Sequence, residues 1–176
     1  MPSAVTRIVL LAFLQYAGSS CEPAPNTRRP ILHRDTGMEV QYPANWNVVL
    51  AMPGIRFLVL NTSGSAVVTV QGLSSFPDGL KEYAAHYSTW TNGATGAAPT
   101  APSGFGAVEK DGTDEILTEH FSSTVYGIEV GHTRIYRRKK LGDVDFFIVC
   151  QAIDEDLRKV QPGFDLIAKS LTYTKP

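Results

Sequence analysis

Four histidines are the side chains in this sequence best suited to bind a metal ion or to act as a general base: His33, His86, His120 and His132. His120 and His132 lie in neighbouring stretches that alternate like β-strands, so their rings could approach each other. A metal site needs further ligands. Glu119 and Glu129 point to the opposite face from the neighbouring histidine because side chains alternate along a strand. We therefore expect an ordinary cross-strand pair and no metal centre.

Nucleophilic chemistry also lacks a recognisable pattern. The run Gly72–Phe76 contains two serines but departs from the Gly-x-Ser-x-Gly elbow, and no glycine-rich phosphate loop precedes a helix. Cys150 lies in the most apolar stretch of the chain, where a thiol behaves as a small hydrophobic group. We predict that the protein is not an enzyme and that it uses no cofactor.

Five basic residues within seven positions form a concentration of charge: Arg134, Arg137, Arg138, Lys139 and Lys140. The turn residues 141–143 follow, which places the cluster near a hairpin tip. A solvated turn that discourages edge pairing is one interpretation. A docking patch for a membrane headgroup or a protein partner is the other. The whole chain has 16 Lys and Arg against 17 Asp and Glu, which argues against nucleic acid as a partner.

Aromatic residues are frequent in the first half of the chain: Tyr42, Trp46, Tyr83, Tyr87 and Trp90. Most of them should be core residues, and Trp46 is expected to pack under the C-terminal helix. Trp90 lies near the end of a predicted helix, beside a loop of small and polar residues. It is therefore the candidate for an exposed anchor that contacts a partner, with a core position as the alternative.

The first 20 residues carry an export pattern. Arg7 precedes an apolar run from Ile8 to Ala17, and the small residues 17–20 follow. A positive charge, an apolar segment and a small-residue exit together predict a secretory signal peptide over residues 1–20. The run is shorter than the roughly 20 residues that a membrane-spanning helix needs. We therefore expect an exported protein.

Cys21 follows directly after this segment. The sequence Ser19-Ser20-Cys21 resembles the last three positions of the bacterial lipobox, whereas Gly18 stands where that pattern has leucine or a similar branched residue. The resemblance implies acylation of Cys21 and a lipid anchor in a membrane of the cell envelope. Cleavage after Ser19, which would give a soluble periplasmic or secreted protein, is the alternative.

Residues 21–34 separate the export signal from the domain. They contain Pro23, Pro25 and Pro30 with hardly any apolar residue, which predicts an extended tether without core contacts. Residues 35–176 are expected to form one globular domain. The chain is 43% hydrophobic and 19% charged, which is ordinary for such a domain. Its two cysteines are too few for a disulfide framework.

Short strands dominate the predicted domain. The alternating pattern and the turn residues predict strands at 38–42, 46–52, 55–61, 66–72, 104–110, 115–121 and 127–138. The first four follow one another directly, which indicates an antiparallel meander. Residues 79–92 switch to helical spacing through Leu80, Tyr83, Ala84 and Tyr87.

The stretch from Val144 to Ala152 identifies the centre of the sheet. It is apolar at alternate positions on one face, and Phe147 and Val149 lie on the other face. A strand that is apolar on both faces is covered on both faces. The covering helices would be residues 79–92 and a C-terminal helix that starts at Pro162, since proline suits a first turn and interrupts a longer helix. We predict an α+β fold in which helices flank both faces of an antiparallel β-sheet of six to eight strands.

Three segments resemble the PsbP-like α/β/α family. The segment 42–46, Tyr-Pro-Ala-Asn-Trp, is similar to the family's Tyr-Pro-x-x-Trp signature, and residues 80–84 and 164–171 look like its middle and closing helices. The family also includes the Ran-GTPase-binding Mog-type proteins and many bacterial lipoproteins. The resemblance spans residues 35–172 and implies an α/β/α sandwich that docks on other proteins, with no shared reaction.

Together, these observations predict a non-enzymatic envelope lipoprotein, tethered to the membrane, that acts as an interaction or accessory module of an envelope complex. Its partners would be the membrane, through the lipid anchor, and an envelope protein. The alternative is a carrier or chaperone of the same fold that binds a ligand or a hydrophobic segment. An open apolar groove between sheet and helix would favour the carrier, whereas a packed sheet face would favour the interaction module.

Overall fold

The computed structural model describes residues 22–74, 76, 78–95, 104–125 and 127–176, without the side chains of 92–95 and 125. The predicted signal peptide and Cys21 lie outside these residues. Among them, a small sheet has the order β1 (Ile31–Asp35), β2 (Met38–Tyr42) and β11 (Thr172–Tyr173). The described residues also form two helices, α1 (Leu80–Thr95) and α2 (Asp154–Ser170). Neither described helix is long and apolar enough to span a membrane.

The larger sheet is antiparallel throughout its described pairings. Its order is β3 (Asn47–Met52), β4 (Phe57–Asn61), β5 (Val67–Leu73), β10 (Val144–Ile153), β9 (Ile128–Leu141), β8 (Asp114–Val125) and β6 (Gly104–Phe105). One further short strand, β7 (Glu109–Asp111), pairs with β8. The strand predicted from its two apolar faces, β10, lies in the middle of this order.

The two faces of β10 belong to two different cores. Phe146 and Ile148 pack with Phe164 of α2 on one face. Phe147 packs with Tyr83 of α1 on the other face. This arrangement confirms the predicted α+β sheet with a helix on each face, and it follows from the period-2 alternation of a strand that is apolar on both sides.

Helix α2 differs from the prediction. It begins at Asp154, and Pro162, which was expected to start the helix, lies inside it. A proline in a helix interior removes a backbone donor and costs about 3 kcal/mol. Val160, Phe164 and Ile167 are all buried against the sheet, and this packing outweighs the local cost. Helix α1 likewise continues past the predicted stop at residues 92–93, as far as Thr95.

The expectation that residues 22–34 make no core contacts is wrong. Residues 31–35 form β1, which pairs with β2 over five residues. Glu22 is fully buried, and its carboxylate accepts hydrogen bonds from the Thr62 hydroxyl at 2.8 Å and from the backbone N–H of Ser65. Proline content indicates an extended chain, but it carries no information on hydrogen bonds to residues 40 positions away.

The two ends of the described chain meet at the small sheet. Strand β11 pairs with β2, and the N–H of Thr174 donates to the carbonyl of Gly37 at 2.9 Å. Gly37 has φ +81°, and a Cβ at this position would collide with the Thr174 carbonyl. Glycine is therefore required here both for the backbone conformation and for the close approach.

Candidate functional site

A cleft of about 380 Å³ lies between helix α1 and the strands β4 and β5. Alternation along β5 directs every second side chain to the α1 side of the sheet, and residues three or four positions apart on α1 face them. The lining is mostly aromatic and aliphatic with a few polar groups: Phe57, Thr69, Gln71, Leu73, Phe76, Tyr83, His86, Tyr87 and Trp90. This volume lies at the lower end of the range for ligand pockets.

Ring contacts build the wall of the cleft. Tyr83 stacks on Phe147 with 3.8 Å between the ring centroids, and Phe76 meets both rings edge-on. Tyr87 contacts Trp90 edge-on at 6.0 Å. Such a cluster is rigid because each ring fixes its neighbours. Trp90 ends the cluster and is 37% exposed, so the residue considered as an exposed anchor lies at the mouth of the cleft.

The two tyrosines of the cleft are neutral and hydrogen-bonded. The Tyr83 hydroxyl donates to Gln71 Oε1 at 3.1 Å, and the hydroxyls of Tyr87 and Thr69 are 3.1 Å apart. Burial raises the pKa of both tyrosines above the usual value of 10, so both stay protonated at neutral pH. The side chains of Tyr83, Tyr87, Gln71 and Thr69 can orient a ligand, and none of the four is an activated nucleophile.

A buried ion pair lies beneath α1. Arg134 Nη1 is 3.0 Å from Glu119 Oε2, and the two side chains are 2% and 0% exposed. The carboxylate also accepts hydrogen bonds from the hydroxyls of Ser88 at 2.5 Å and Tyr136 at 2.6 Å. Arg134 Nε donates to Gln151 at 2.7 Å. Since Ser88 belongs to α1, the network fixes the helix on the sheet.

Arg134 also connects this network to the cleft. Its guanidinium carbon lies 4.3 Å from the ring centroid of Phe121 and 5.7 Å from that of Tyr87. Both distances are within the range of a cation–π interaction. The ring of Tyr87 is therefore held by a cation on one side while it lines the cleft on the other.

The structure divides the five basic residues of the predicted docking patch. All lie on β9, and strand alternation sends Arg134, Arg138 and Lys140 to the α1 side and Arg137 and Lys139 to the α2 side. The inclusion of Arg134 in an exposed patch is wrong because its side chain is buried in the ion pair. An arginine in a strand usually indicates a solvent-facing side chain. Arg134 is buried instead because Glu119 neutralises its charge.

The remaining basic residues have different surroundings. Arg137 is 3.0 Å from both Asp111 and Asp114, and Arg138 is 3.0 Å from Asp145. Lys139 Nζ donates to the carbonyl of Ala168 near the end of α2 at 3.2 Å. Lys140 is exposed. The cluster thus consists largely of charges that are paired within the domain.

The two strand histidines lie on opposite faces of the sheet, since His120 is opposite Thr133 and His132 is opposite Phe121. The expected cross-strand pair of His120 and His132 is therefore wrong. His120 Nδ1 is 3.0 Å from the Thr133 hydroxyl. The ring of His132 stacks on Phe121, and its Nε2 is 2.8 Å from the Ser123 hydroxyl. Burial, followed by the charge of Arg134, lowers the pKa of His132 to about 4. No three His, Cys, Asp or Glu side chains group as metal ligands within the described ranges.

Comparison with known proteins gives a fold. No protein-family model and no curated protein matches the sequence. The solution structure of the cyanobacterial PsbP protein (CyanoP) from Synechocystis sp. PCC 6803 matches with a TM-score of 0.53 at 14% identity, over 90% of this chain and 99% of that chain. A mutant of the protein Mog1 matches with a TM-score of 0.50 at 10% identity, over 82% and 95% of the two chains.

LpqN of Mycobacterium tuberculosis, a protein involved in cell envelope biogenesis, also matches. The TM-score is 0.43 at 15% identity, over 83% of this chain and 90% of that chain. The CyanoP and Mog1 matches show that the chain has the PsbP-like fold. These matches confirm that the PsbP-like resemblance of the sequence reflects a shared fold. The assignment to a lipoprotein branch of the family stays a prediction.

Proposed function

We propose that the protein is an exported, lipid-anchored accessory module without catalytic activity, and that it docks an envelope protein in the cleft beside α1. The observation that carries this proposal is Trp90, which is half-exposed at the mouth of the aromatic cleft; the open apolar groove taken alone is the feature expected of the carrier. Aromatic residues that are rigid and accessible are the usual anchors of protein interfaces because they bury a large area at little entropic cost.

The chemistry of the cleft argues for docking over catalysis. Its described polar groups are the side chains of Thr69, Gln71, His86 and two tyrosines. Those tyrosines remain neutral at physiological pH because burial raises their pKa. The fitting partner group is therefore a bulky apolar side chain, aliphatic or aromatic, on a short segment of another protein. A volume of about 380 Å³ accommodates two or three such side chains.

Attachment to the membrane through Cys21 is the second part of the proposal. Its support is the order of charge, apolar run and small residues before Ser19-Ser20-Cys21. If Cys21 is acylated, the protein should remain in the membrane fraction at high salt, because insertion of acyl chains does not depend on ionic strength. Cys21→Ser should release it. An intact mass that shows an unmodified N-terminus at Ser20 would refute the anchor.

A carrier or chaperone is the second candidate function, and the same cleft favours it because it is open and apolar. A small apolar ligand would occupy the cleft alone, whereas docking requires a protein segment. In the native envelope, docking would place a protein segment against Trp90 and His86, whereas a carrier would hold a small apolar ligand there.

A photoreactive amino acid in place of His86, which is exposed at the rim of the cleft, tests both candidates. Docking predicts one dominant protein adduct in cells, and this adduct should disappear when Trp90→Ala is added. The matched control is the same photoreactive group at Lys110, which is exposed on β7 away from the cleft. An adduct with a small apolar molecule would favour the carrier. Equal labelling from positions 86 and 110 would refute a site at the cleft.

A further inference from the structure

Strand β3 forms one edge of the larger sheet. It pairs with β4 on one side, and no other strand in the described part of the chain pairs with it. The outer backbone N–H and C=O groups of an edge strand can bind a further strand. Val48 is 42% exposed, and residues 50–52 are half-buried. The outer side of residues 47–52, here called the β3 edge, therefore has the backbone groups to bind an extended chain.

The β3 edge is apolar on both faces. Strand alternation directs Leu50 and Met52 to the α1 side, and it directs Val48 and Ala51 to the α2 side. The strand contains neither a charged residue nor a proline. Natural edge strands usually carry such residues, because these discourage pairing with another chain. The side chains of β3 therefore leave its edge open to pairing.

The other described edge strands are protected. Arg34 and Asp35 lie on β1, and all three residues of β7 are charged. Strands β6 and β11 have two residues each, and very short edge strands offer little to pair with. Among the edges that the structure describes, β3 is therefore the one suited to bind a partner strand.

The regular part of the β3 edge adjoins the cleft. A β-bulge at residues 48–50 interrupts the register and twists the first half of the edge away from a partner. Residues 50–52 pair without interruption with residues 57–59. Met52 lies opposite Phe57, which lines the cleft. A strand added at residues 50–52 would lie about 10 Å from β4, which is two strand spacings. Side chains on the α1 side of an added strand would therefore lead toward the cleft.

We propose that the partner segment docked in the cleft is an extended chain that pairs with residues 50–52 as an additional β-strand. Backbone hydrogen bonds supply the pairing. Apolar side chains at alternate positions of the segment pack on Leu50 and Met52 and reach toward Phe57. The β3 edge offers no charge, so these alternate positions are uncharged. Strand pairing rests on the proposed docking at the cleft, and it adds the conformation and the side-chain pattern of the partner.

A second copy of the protein fits the β3 edge less well than a flexible segment. The six residues of β3 span about 20 Å, and a sheet layer is about 10 Å thick. Two rigid domains that met edge to edge would therefore cover about 200 Å² on each side, well below the roughly 800 Å² per partner of a stable interface. A flexible segment can follow the edge and then enter the cleft of about 380 Å³, which adds contacts with its aromatic residues.

The test uses the purified protein and the synthetic peptide Thr-Leu-Thr-Phe-Thr-Leu-Thr, which carries fluorescein at its N-terminus so that fluorescence anisotropy reports binding. The N–H groups of alternate residues point to the same edge of a strand. Since the apolar side chains must face the α1 side, only one edge of the peptide can pair with β3. Two further peptides carry N-methyl groups, either on the three apolar residues or on the last three threonines. One of the two, and only one, should bind at least about fivefold more weakly than the parent peptide, because it loses backbone hydrogen bonds.

Met52→Lys places a charge on the β3 edge and should weaken binding of the parent peptide at least about fivefold. The matched control is Leu32→Lys, which adds the same charge to the edge strand β1 at a residue that is 41% exposed, and it should change the Kd less than about twofold. Equal effects of the two methylated peptides, or no binding of the parent peptide, would overturn strand pairing. Docking at the cleft is decided separately by the adduct from position 86, which requires no backbone pairing.

Discussion

Glu119 and Arg134 face each other across β8 and β9, 3.0 Å apart, and neither side chain reaches solvent to more than 2%. Burying two charges is expensive unless every hydrogen-bonding group is satisfied. Here Ser88, Tyr136 and Gln151 supply partners. Because Ser88 belongs to α1, the ion pair and its partners fix the position of α1 on the sheet and therefore the shape of the cleft.

Arg134→Met should lower the free energy of unfolding by about 3–5 kcal/mol, because it leaves the carboxylate of Glu119 buried and unpaired. The double variant Arg134→Met with Glu119→Met should lose less than Arg134→Met alone, since no buried charge remains. Urea denaturation of the two single variants and the double variant measures the coupling. Additive losses would contradict the dominant role of the ion pair.

Acid should destabilise the protein between pH 6.5 and 4 through His132. Burial, followed by the charge of Arg134, lowers the folded pKa of His132 from 6.5 to about 4, with Asp154 acting in the opposite direction. The unfolded chain then binds the proton in this window and the folded chain does not. Stability is therefore fully present above pH 6.5 and is lost as the pH falls, by about 3 kcal/mol at pH 4.

His132→Gln isolates this contribution. The difference in unfolding free energy between wild type and variant should change with pH only in that window. His86→Gln removes an exposed histidine from α1 and should keep the wild-type slope. An unchanged slope in His132→Gln would show that other groups cause the acid sensitivity.

Gly163→Ala should destabilise the domain by about 1–3 kcal/mol, although alanine is the better helix former. A Cβ at this position would lie 2.5 Å from Cζ2 of Trp46, and Trp46 is itself held edge-on to Phe164 at 5.8 Å. Thermal unfolding and the tryptophan emission spectrum measure the effect. Gly104→Ala, which meets no atom within 4 Å, is the control and should change stability by less than about 0.5 kcal/mol.

Cys150 should react with thiol reagents only when the domain opens. It is buried on the α2 face of β10, and burial raises the pKa of its thiol, so little thiolate is available. In a protein that carries Cys21→Ser, labelling should be slow in buffer and fast in denaturant. Rapid labelling of the native protein would place Cys150 at an accessible surface and refute the assignment of β10 as the central strand.

The sequence predicts those parts of the fold that depend on periodicity. The alternation through β10 is strong because both faces are apolar, so its central position and the two helices follow from it. The placement of Trp46 under α2 was likewise predictable and is confirmed by its contact with Phe164. Pro162 predicts a helix start because proline disfavours a helix interior, and this local propensity carries no information on the tertiary packing of α2 that opposes it.

The candidate site was less predictable because it depends on register. Arg134 belongs by spacing to a run of basic residues, and only the alignment of β8 with β9 brings Glu119 opposite it. The contact of Glu22 with Thr62 joins residues 40 positions apart, with no pattern in either segment to indicate it. The aromatic residues of α1 were predicted as one stripe, but the cleft depends on how far α1 lies from β4 and β5.

The pairing of β2 with β11 sets the order in which this chain can fold while it is being made. The backbone N–H of Gln41 in β2 donates to the hydroxyl of Ser170, 129 positions later, and that hydroxyl donates to the Gln41 carbonyl. The carbonyl of Gly37 accepts a further hydrogen bond from the N–H of Thr174. A chain that emerges N-terminus first presents Met38 and Val40 without their partners in α2 and β11 until residues 154–173 have emerged. Such a chain cannot complete the small sheet until residues 170–174 have been made.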